Sequence, residues 1–186
     1  MLDRTEILGW LREDRDERLA ELWRWADQVR RENVGDAIHL RGLVELSNHC
    51  VRQCTYCGLR AGNQGIVRYR LTADQVLDCA RQAVQLGYGT VVLQSGEDLE
   101  LTADWVADVV RRIKAETPLA VTLSLGERAP TELSLWRQAG ADRYLLRFET
   151  SHPKLFRAIH PPRPGQPFSR PDLLRVIRSL GYEVGS

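Results

Sequence analysis

The strongest constraint on this fold is a regular alternation of short apolar runs with longer helical patterns, beginning near residue 40. The runs have the composition of strands, and the last one starts close to the end of the chain: residues 43–47, 90–95, 120–125, 143–148 and 182–185. Helical patterns separate them: residues 72–86, 102–116, 131–139, 152–159 and 170–180. Strands that are apolar on both faces and alternate with such helices predict right-handed βα units and a parallel sheet. The predicted fold class is therefore α/β.

The predicted helices carry the residues that normally start and stop helices. Thr72, Thr102 and Ser151 are placed to accept hydrogen bonds from the first free backbone N–H groups. A glycine also stands between a helix and the following strand in "QLGY", "QAGA" and "SLGY", where a left-handed backbone residue is expected to end the helix.

The two ends of the chain differ from this series. Apolar positions at helical spacing from Thr5 to about Glu32 predict an N-terminal helical segment, so we expect a segment at residues 1–40 and a βα domain at residues 41–186. The fifth strand lies at the last residue, and a closed barrel needs more strands. We therefore expect an incomplete barrel, the N-terminal portion of a longer protein, that is poorly soluble or inactive alone.

The composition excludes several classes of function. Hydrophobic residues make up 43% of the 186 residues and the formal net charge is +1, so the chain can bury a core and has no global attraction to nucleic acid. No apolar run approaches the roughly 18 residues that span a bilayer, and the N-terminus is charged where a signal peptide would be apolar. We expect a cytoplasmic protein without a membrane or nucleic-acid partner. Thiols stay reduced there, so clustered cysteines indicate metal binding or catalysis more often than a disulfide.

Polar residues gather where the predicted strands end. They follow the first four strands in turn: Ser47 and Asn48; Gln94, Ser95, Glu97 and Asp98; Ser124 and Glu127; Arg147 and Glu149. The carboxyl edge of a parallel sheet holds the active site both in open doubly wound sheets and in βα barrels. The even spread over four strands favours the barrel, because an open sheet would concentrate such residues at its switch point.

Three of the four cysteines lie together after the first strand, in "CVRQCTYC". The C-x3-C-x2-C spacing lets the thiolates of Cys50, Cys54 and Cys57 converge on one small object. A zinc site would need a fourth ligand. Cys79 lies in line with core positions of the next helix, and His49 is disfavoured because adjacent residues rarely point at one metal. A lone disulfide with a free thiol is weaker still, whereas three cysteines on an iron-sulfur cluster would leave one iron open.

This motif resembles the signature of the radical S-adenosylmethionine (radical SAM) enzymes, CxxxCxΦC, with Tyr56 as the aromatic residue. The resemblance implies a radical SAM βα barrel, of which about the first five βα units are present here. It also implies a [4Fe-4S] cluster and S-adenosyl-L-methionine as cofactors, with reductive cleavage of S-adenosylmethionine as the activity. Cys50, Cys54 and Cys57 would ligate the cluster.

Longer stretches narrow the resemblance. "CGLR", "LQSGED", "DRYLLR" and "LGYEVGS" are similar to the HydE family of [FeFe]-hydrogenase maturases, over a match from about residue 15 to the last residue. That similarity implies a small iron-cysteine precursor as substrate, an electron donor such as ferredoxin or flavodoxin, and other hydrogenase maturases as partners. Biotin synthase and methylornithine synthase are similar relatives. A paralogue with another radical substrate and a non-catalytic iron-sulfur fragment therefore stay open.

The resemblance also assigns residues that would bind S-adenosylmethionine: Tyr56, Gly96, Glu97, Ser124, Arg147, Glu149 and Arg170. Tyr56 would contact the adenine, unless it only packs under the cysteine loop. The "QSGED" segment would offer backbone carbonyls to the methionine amino group, so Glu97 would act through its main chain or its side chain.

The remaining assignments lie after the fourth strand. Arg147 and Glu149 would hold charged or hydroxyl groups of S-adenosylmethionine, unless they form an ion pair at the barrel rim, and Phe148 between them stands where the family usually has His. Arg170 would pair the S-adenosylmethionine carboxylate, unless it is a surface arginine near a helix start. The histidines that flank a short helix, His152 and His160, are expected at the surface or as caps.

Overall fold

The computed structural model describes residues 2–162 and 169–186. Residues 163–168, part of the Pro-rich stretch that follows His160, lie outside the described residues. The chain divides into two compact units, Met1–His39 and Leu40–Ser186.

The first unit contains two helices, α1 (Arg4–Leu11) and α2 (Asp16–Val34). Asp3 caps α1 in a reciprocal box: its side chain accepts from Glu6 N at 2.8 Å, and the Glu6 carboxylate accepts from Asp3 N at 2.7 Å. α2 ends where Gly35 adopts a positive φ of 73°. Among the described residues, no helix is long and apolar enough to cross a bilayer.

The second unit alternates strands and helices. Its elements are β1 (Gly42–Ser47), α3 (Ala73–Gln85), β2 (Thr90–Ser95), α4 (Ala103–Glu116), β3 (Ala120–Ser124), α5 (Pro130–Gln138), β4 (Arg143–Leu145), α6 (Pro153–Ile159), α7 (Arg170–Ser179) and β5 (Glu183–Gly185). All neighbouring strands are parallel and follow chain order, β1-β2-β3-β4-β5. The connections follow unbroken chain order, and α3, α4, α5 and α7 pack against one another in that order along one face of the sheet. This winding confirms the predicted α/β class and a partial βα barrel, and it has no switch point of the kind found in doubly wound sheets.

The core lies between the sheet and these helices. Val44 and Leu46 of β1, and Val91 and Leu93 of β2, point toward the helices and are buried. Burying a side chain of this size contributes about 2 kcal/mol. The alternate residues face the concave side, where Leu43 is 57% exposed. One face of the sheet is thus the packed core and the other is the inner wall of the partial barrel.

Two predicted boundaries need correction. The predicted strand 143–148 ends at Leu145, because the backbone turns after it: Thr150 N donates to Phe148 O at 2.6 Å and Glu149 has a φ of 63°. Helix α6 is capped by His152, whose Nδ1 accepts from Leu155 N at 3.3 Å, and not by Ser151. The glycine stops after α3, α5 and α7 are confirmed by positive φ values at Gly87, Gly140 and Gly181.

Candidate functional site

The loop after β1 brings Cys50, Cys54 and Cys57 to the wall of one cavity of about 140 Å³ at the carboxyl edge of the sheet. Backbone hydrogen bonds hold this loop at both ends. Val51 N donates to Glu97 O at 3.0 Å, and Thr55 N donates to Ile159 O at 3.0 Å. The loop is therefore tied to the ends of β2 and α6, which fixes the three sulfur positions relative to the sheet.

Arg68 stabilises the loop from within. Its guanidinium donates to the carbonyl oxygens of Leu59 at 3.0 Å, Arg60 at 3.0 Å and Asn63 at 3.2 Å, and also to that of Asn48. A planar fork with five N–H donors suits this pattern, and an ammonium group does not. The sequence analysis missed Arg68, because these carbonyl groups carry no side-chain signal.

A buried carboxylate anchors the loop to the end of β1. Asp98 is 2% exposed and accepts from Ser47 Oγ at 2.5 Å and from Arg70 Nε at 2.6 Å. Burial alone would raise the pKa of Asp98, but the hydrogen bonds from Arg70 and Ser47 outweigh it, so the pKa lies below its usual value. Asp98 is therefore ionised at neutral pH and clamps the strand end.

Most of the predicted site residues lie on the same cavity. Alongside the cysteines, the cavity is lined by Tyr56, Gly96, Glu97, Ser124, Arg147 and Arg170. Glu149 is not on its wall, but its Oε1 accepts from Tyr56 Oη at 3.2 Å. Arg147 donates to Gln94 Oε1 at 3.0 Å. Among the described contacts, Arg147 and Glu149 therefore have separate partners, and the alternative of a mutual ion pair is not supported.

Gly96 allows the end of β2 to approach the cysteine loop closely. A Cβ atom on this residue would lie 2.3 Å from His49 O and 2.6 Å from Cys50 Cβ. The end of β2 can therefore pack against the cysteine loop only because position 96 has no side chain. The Gly96 carbonyl already accepts from Asp98 N at 2.8 Å and from Ser95 Oγ at 2.6 Å. The main contribution of Gly96 is therefore the room that its missing side chain leaves for the cysteine loop.

Paired charges are buried beside the cysteines. Arg170 Nε donates to Glu127 Oε1 at 2.6 Å, and Arg52 Nη2 lies 3.6 Å from the same oxygen. Glu97 Oε1 accepts from Glu127 N at 3.0 Å, and burial raises the pKa of Glu97. Arg170 is 6% exposed, so its alternative as a surface arginine is wrong.

His160 is the C-cap residue of α6, as expected, but it does not lie at the surface. It is 2% exposed, and its Nδ1 lies 3.2 Å from Cys54 Sγ while its Nε2 lies 3.4 Å from Arg170 Nη1. The ring also packs edge-on against Tyr56, with centroids 5.4 Å apart. Burial, and then the charges of Arg170 and Arg52, lower its pKa to about 4. Both histidines therefore cap α6, His152 at its start and His160 at its end, but only His152 is at the surface.

The donor set fits an iron-sulfur cluster better than a single metal ion. All four cysteines are free thiols, and Cys79 packs against the core. His49 does not line the cavity that the three cysteines share; it lines a neighbouring depression together with Cys50. Among the described residues, no group of three or more His, Cys, Asp or Glu side chains is close enough to hold one ion, whereas a four-iron cube spreads its ligands further apart.

The thiols lie in a setting that suits a bound anionic cluster. Burial raises the pKa of Cys50 and Cys54, and the charges of Arg170 and Arg52 act in the opposite direction on Cys54. Burial makes a free thiolate unfavourable, so binding to iron, which neutralises the thiolate charge, is favoured. The neighbouring arginines stabilise the remaining negative charge of the bound cluster. The residues present therefore fit the cluster, with the three cysteines holding it at the cavity wall.

The fold and the cysteine site define the class of protein. Residues 44–186 match the model of the Radical SAM superfamily, and the chain belongs to that superfamily of enzymes, whose members use a [4Fe-4S] cluster and S-adenosylmethionine. It is 46% identical over 165 residues to the [FeFe] hydrogenase maturase subunit HydE of Thermotoga maritima, an alignment that covers 89% of this chain and 47% of that protein.

Other members of the superfamily are also similar. A biotin synthase of Picosynechococcus is 29% identical over 161 residues, which cover 81% of this chain and 44% of the relative. The crystal structure of methylornithine synthase (PylB) superposes with a TM-score of 0.84 at 28% identity, covering 99% of this chain and 54% of that one. The chain thus spans about half the length of the relatives it matches.

Proposed function

We propose that this chain carries the cofactor-binding half of a HydE-like enzyme, which cleaves S-adenosylmethionine reductively in the maturation of the [FeFe]-hydrogenase cluster. The observation that carries the proposal is the meeting of three free cysteines on one cavity wall at the carboxyl edge of a parallel barrel-type sheet. The identity of 46% to HydE supports the finer assignment.

Cys50, Cys54 and Cys57 would hold the [4Fe-4S] cluster. When bound, that group supplies an electron and an open coordination position for S-adenosylmethionine. The chain's own part is to fix the three sulfurs through Arg68 and Asp98, and to keep the end of β2 close to them through Gly96. Preorganisation of this kind keeps the reacting groups in place without further cost at the moment of reaction.

The polar groups around the cavity would bind S-adenosylmethionine. Glu149 is held by Tyr56 Oη at the cavity mouth, in a positive-φ conformation that is unfavourable for a glutamate. Its carboxylate can accept hydrogen bonds from the ribose hydroxyls or the methionine ammonium. Arg147 lines the cavity and can pair with the methionine carboxylate, and Ser124 adds a hydroxyl to the wall.

Arg170 and Glu97 would act indirectly, because the side chains of both are buried and bound to Glu127. The Nε of Arg170 is bound to Glu127, so the proposed contribution of Arg170 to the methionine carboxylate is mainly electrostatic. The Glu97 side chain is 3% exposed and bonded to Glu127 N, so it would act by shaping the end of β2. Phe148, where the family usually has His, offers no proton donor at that position.

The substrate and partners follow from the similarity alone. We propose a small iron-cysteine precursor as substrate, a ferredoxin or flavodoxin as electron donor, and other hydrogenase maturases as partners. A paralogue acting on another radical substrate is the second candidate. It is favoured by the superposition on methylornithine synthase, whose TM-score is 0.84 over 99% of this chain.

Anaerobic reconstitution of the chain with iron and sulfide tests the proposal. We expect four irons per chain, and formation of 5′-deoxyadenosine after addition of S-adenosylmethionine and reductant would show that this part of the barrel suffices for cleavage. Cys50→Ser, Cys54→Ser and Cys57→Ser should each lose iron, while Cys79→Ser, the matched control outside the cavity, should retain it. A colourless protein that binds one zinc would contradict the cluster, and a cluster without cleavage would support the iron-sulfur fragment instead.

A further inference from the structure

His160 is joined to the cysteine loop although it lies more than a hundred residues further along the chain. Its Nδ1 is 3.2 Å from Cys54 Sγ, and the adjacent Ile159 carbonyl accepts from Thr55 N at 3.0 Å. The end of α6 therefore meets the loop through one side-chain contact and one backbone hydrogen bond. Neither the cysteine spacing nor the radical SAM assignment requires a histidine here.

The partner of the other ring nitrogen determines which nitrogen carries the proton. Arg170 Nη1 lies 3.4 Å from His160 Nε2, and a guanidinium always donates and never accepts. Nε2 must therefore be the acceptor. In a neutral imidazole the single proton then resides on Nδ1, which faces Cys54 Sγ, so His160 donates an N–H···S hydrogen bond.

The orientation of both groups is set by the surrounding structure. Arg170 is held by Glu127 Oε1 at 2.6 Å. The His160 ring lies against Phe156, with centroids 4.7 Å apart, and against the edge of Tyr56. Because the ring is 2% exposed, exchanging its two nitrogens would place an N–H against an arginine N–H without water to accept it.

We propose that His160 is a positioning residue that donates a hydrogen bond to the Cys54 sulfur and thereby raises the reduction potential of the bound cluster. This inference rests on the proposed function, because it needs Cys54 as a cluster ligand. A hydrogen bond withdraws charge from the thiolate and stabilises the reduced, more negative state more than the oxidised one. It makes the cluster easier to reduce by a cellular electron donor.

Potentiometric titration of the reconstituted chain, followed by electron paramagnetic resonance (EPR), tests the effect on potential. His160→Leu removes the donor, while His160→Asn keeps an N–H near the Nδ1 position. We expect His160→Leu to lower the ratio of reduced to oxidised cluster roughly fivefold at a fixed potential, which is a shift of about 40 mV at 59 mV per tenfold. His160→Asn should stay near the wild type. Equal shifts in both variants, or no shift in His160→Leu at equal iron content, would overturn the proposal.

The histidine tautomers of the metal-free chain give a second, independent measurement. Nitrogen-15 spectra should show His160 protonated on Nδ1. His152 is a matched internal control with the opposite tautomer, because its Nδ1 accepts from Leu155 N. An Nε2-protonated His160 would refute the hydrogen bond. If the wild-type chain forms no cluster, the proposed function fails and this inference fails with it; a normal cluster with an Nε2-protonated His160 would refute the inference alone.

Discussion

Replacing Gly96 by alanine should separate the cysteine loop from the end of β2. The new Cβ would lie 2.3 Å from His49 O and 2.6 Å from Cys50 Cβ, about 1 Å inside ordinary contact. Neither neighbour can rotate away, because one is a backbone oxygen and the other is a Cβ atom. The loop must move, and the hydrogen bond from Val51 N to Glu97 O would be weakened. We expect a loss of about 3 kcal/mol, from overpacking of 1–3 kcal/mol and about 1 kcal/mol for the hydrogen bond.

Urea denaturation measures this loss. With a slope of about 2 kcal/mol per molar urea, 3 kcal/mol lowers the midpoint by about 1.5 M. Gly89→Ala is the matched control, since a Cβ atom there meets nothing within 4 Å, and it should leave the midpoint within about 0.3 M. An unchanged midpoint in Gly96→Ala, together with full iron uptake, would refute the steric reasoning.

Three further predictions concern the contacts around the loop. Arg68→Lys should speed the release of cluster iron to a chelator about tenfold, because an ammonium group cannot donate to several carbonyl oxygens in the planar arrangement that the guanidinium satisfies. Arg111→Lys, at an exposed arginine, is the control. Asp98→Asn should lower the unfolding free energy most at neutral pH. The folded pKa of Asp98 lies below the unfolded value of 3.8, so its stabilisation is present above 3.8 and the difference from wild type should shrink as the pH falls through the folded pKa. A constant difference would contradict this. Tyr56→Phe removes the donor to Glu149 and should raise the Kd of the reconstituted chain for S-adenosylmethionine about fivefold at unchanged iron content. Because the pKa of Tyr56 is raised to about 12, by burial first and then by Glu149, that effect should not vary between pH 7 and 9.

The fold was predictable because its signals are local. Apolar runs bounded by Thr72, Thr102 and the glycine stops give strands and helices whose positions agree with the structure to within one or two residues, except at β4. The error there has a local cause: residues 146–148 read as a continuing strand, but the turn at Glu149 removes them from the sheet. A positive φ at glutamate leaves no mark in the sequence.

The cysteine site was predictable from spacing, and the position of Asp98 at the same edge was predictable too, but the contacts that support the site were not. Arg68, Asp98 and His160 act through contacts with residues that are distant in the chain or with backbone carbonyls. His160 flanks a short helix, which is the ordinary place for a surface residue or cap. Its burial follows from the packing of α6 on a loop that precedes it by more than a hundred residues, and local patterns do not encode such packing.

The most direct test of the proposed site is the EPR spectrum of the reduced, reconstituted chain with and without S-adenosylmethionine. Three cysteine ligands leave one iron open, so we predict that the EPR signal of the reduced cluster changes when S-adenosylmethionine is added. Adenosine, which lacks the methionine group, should leave the signal unchanged. A chain that takes up no iron, or a reduced cluster whose spectrum is identical with and without saturating S-adenosylmethionine, would contradict an open iron site held by Cys50, Cys54 and Cys57.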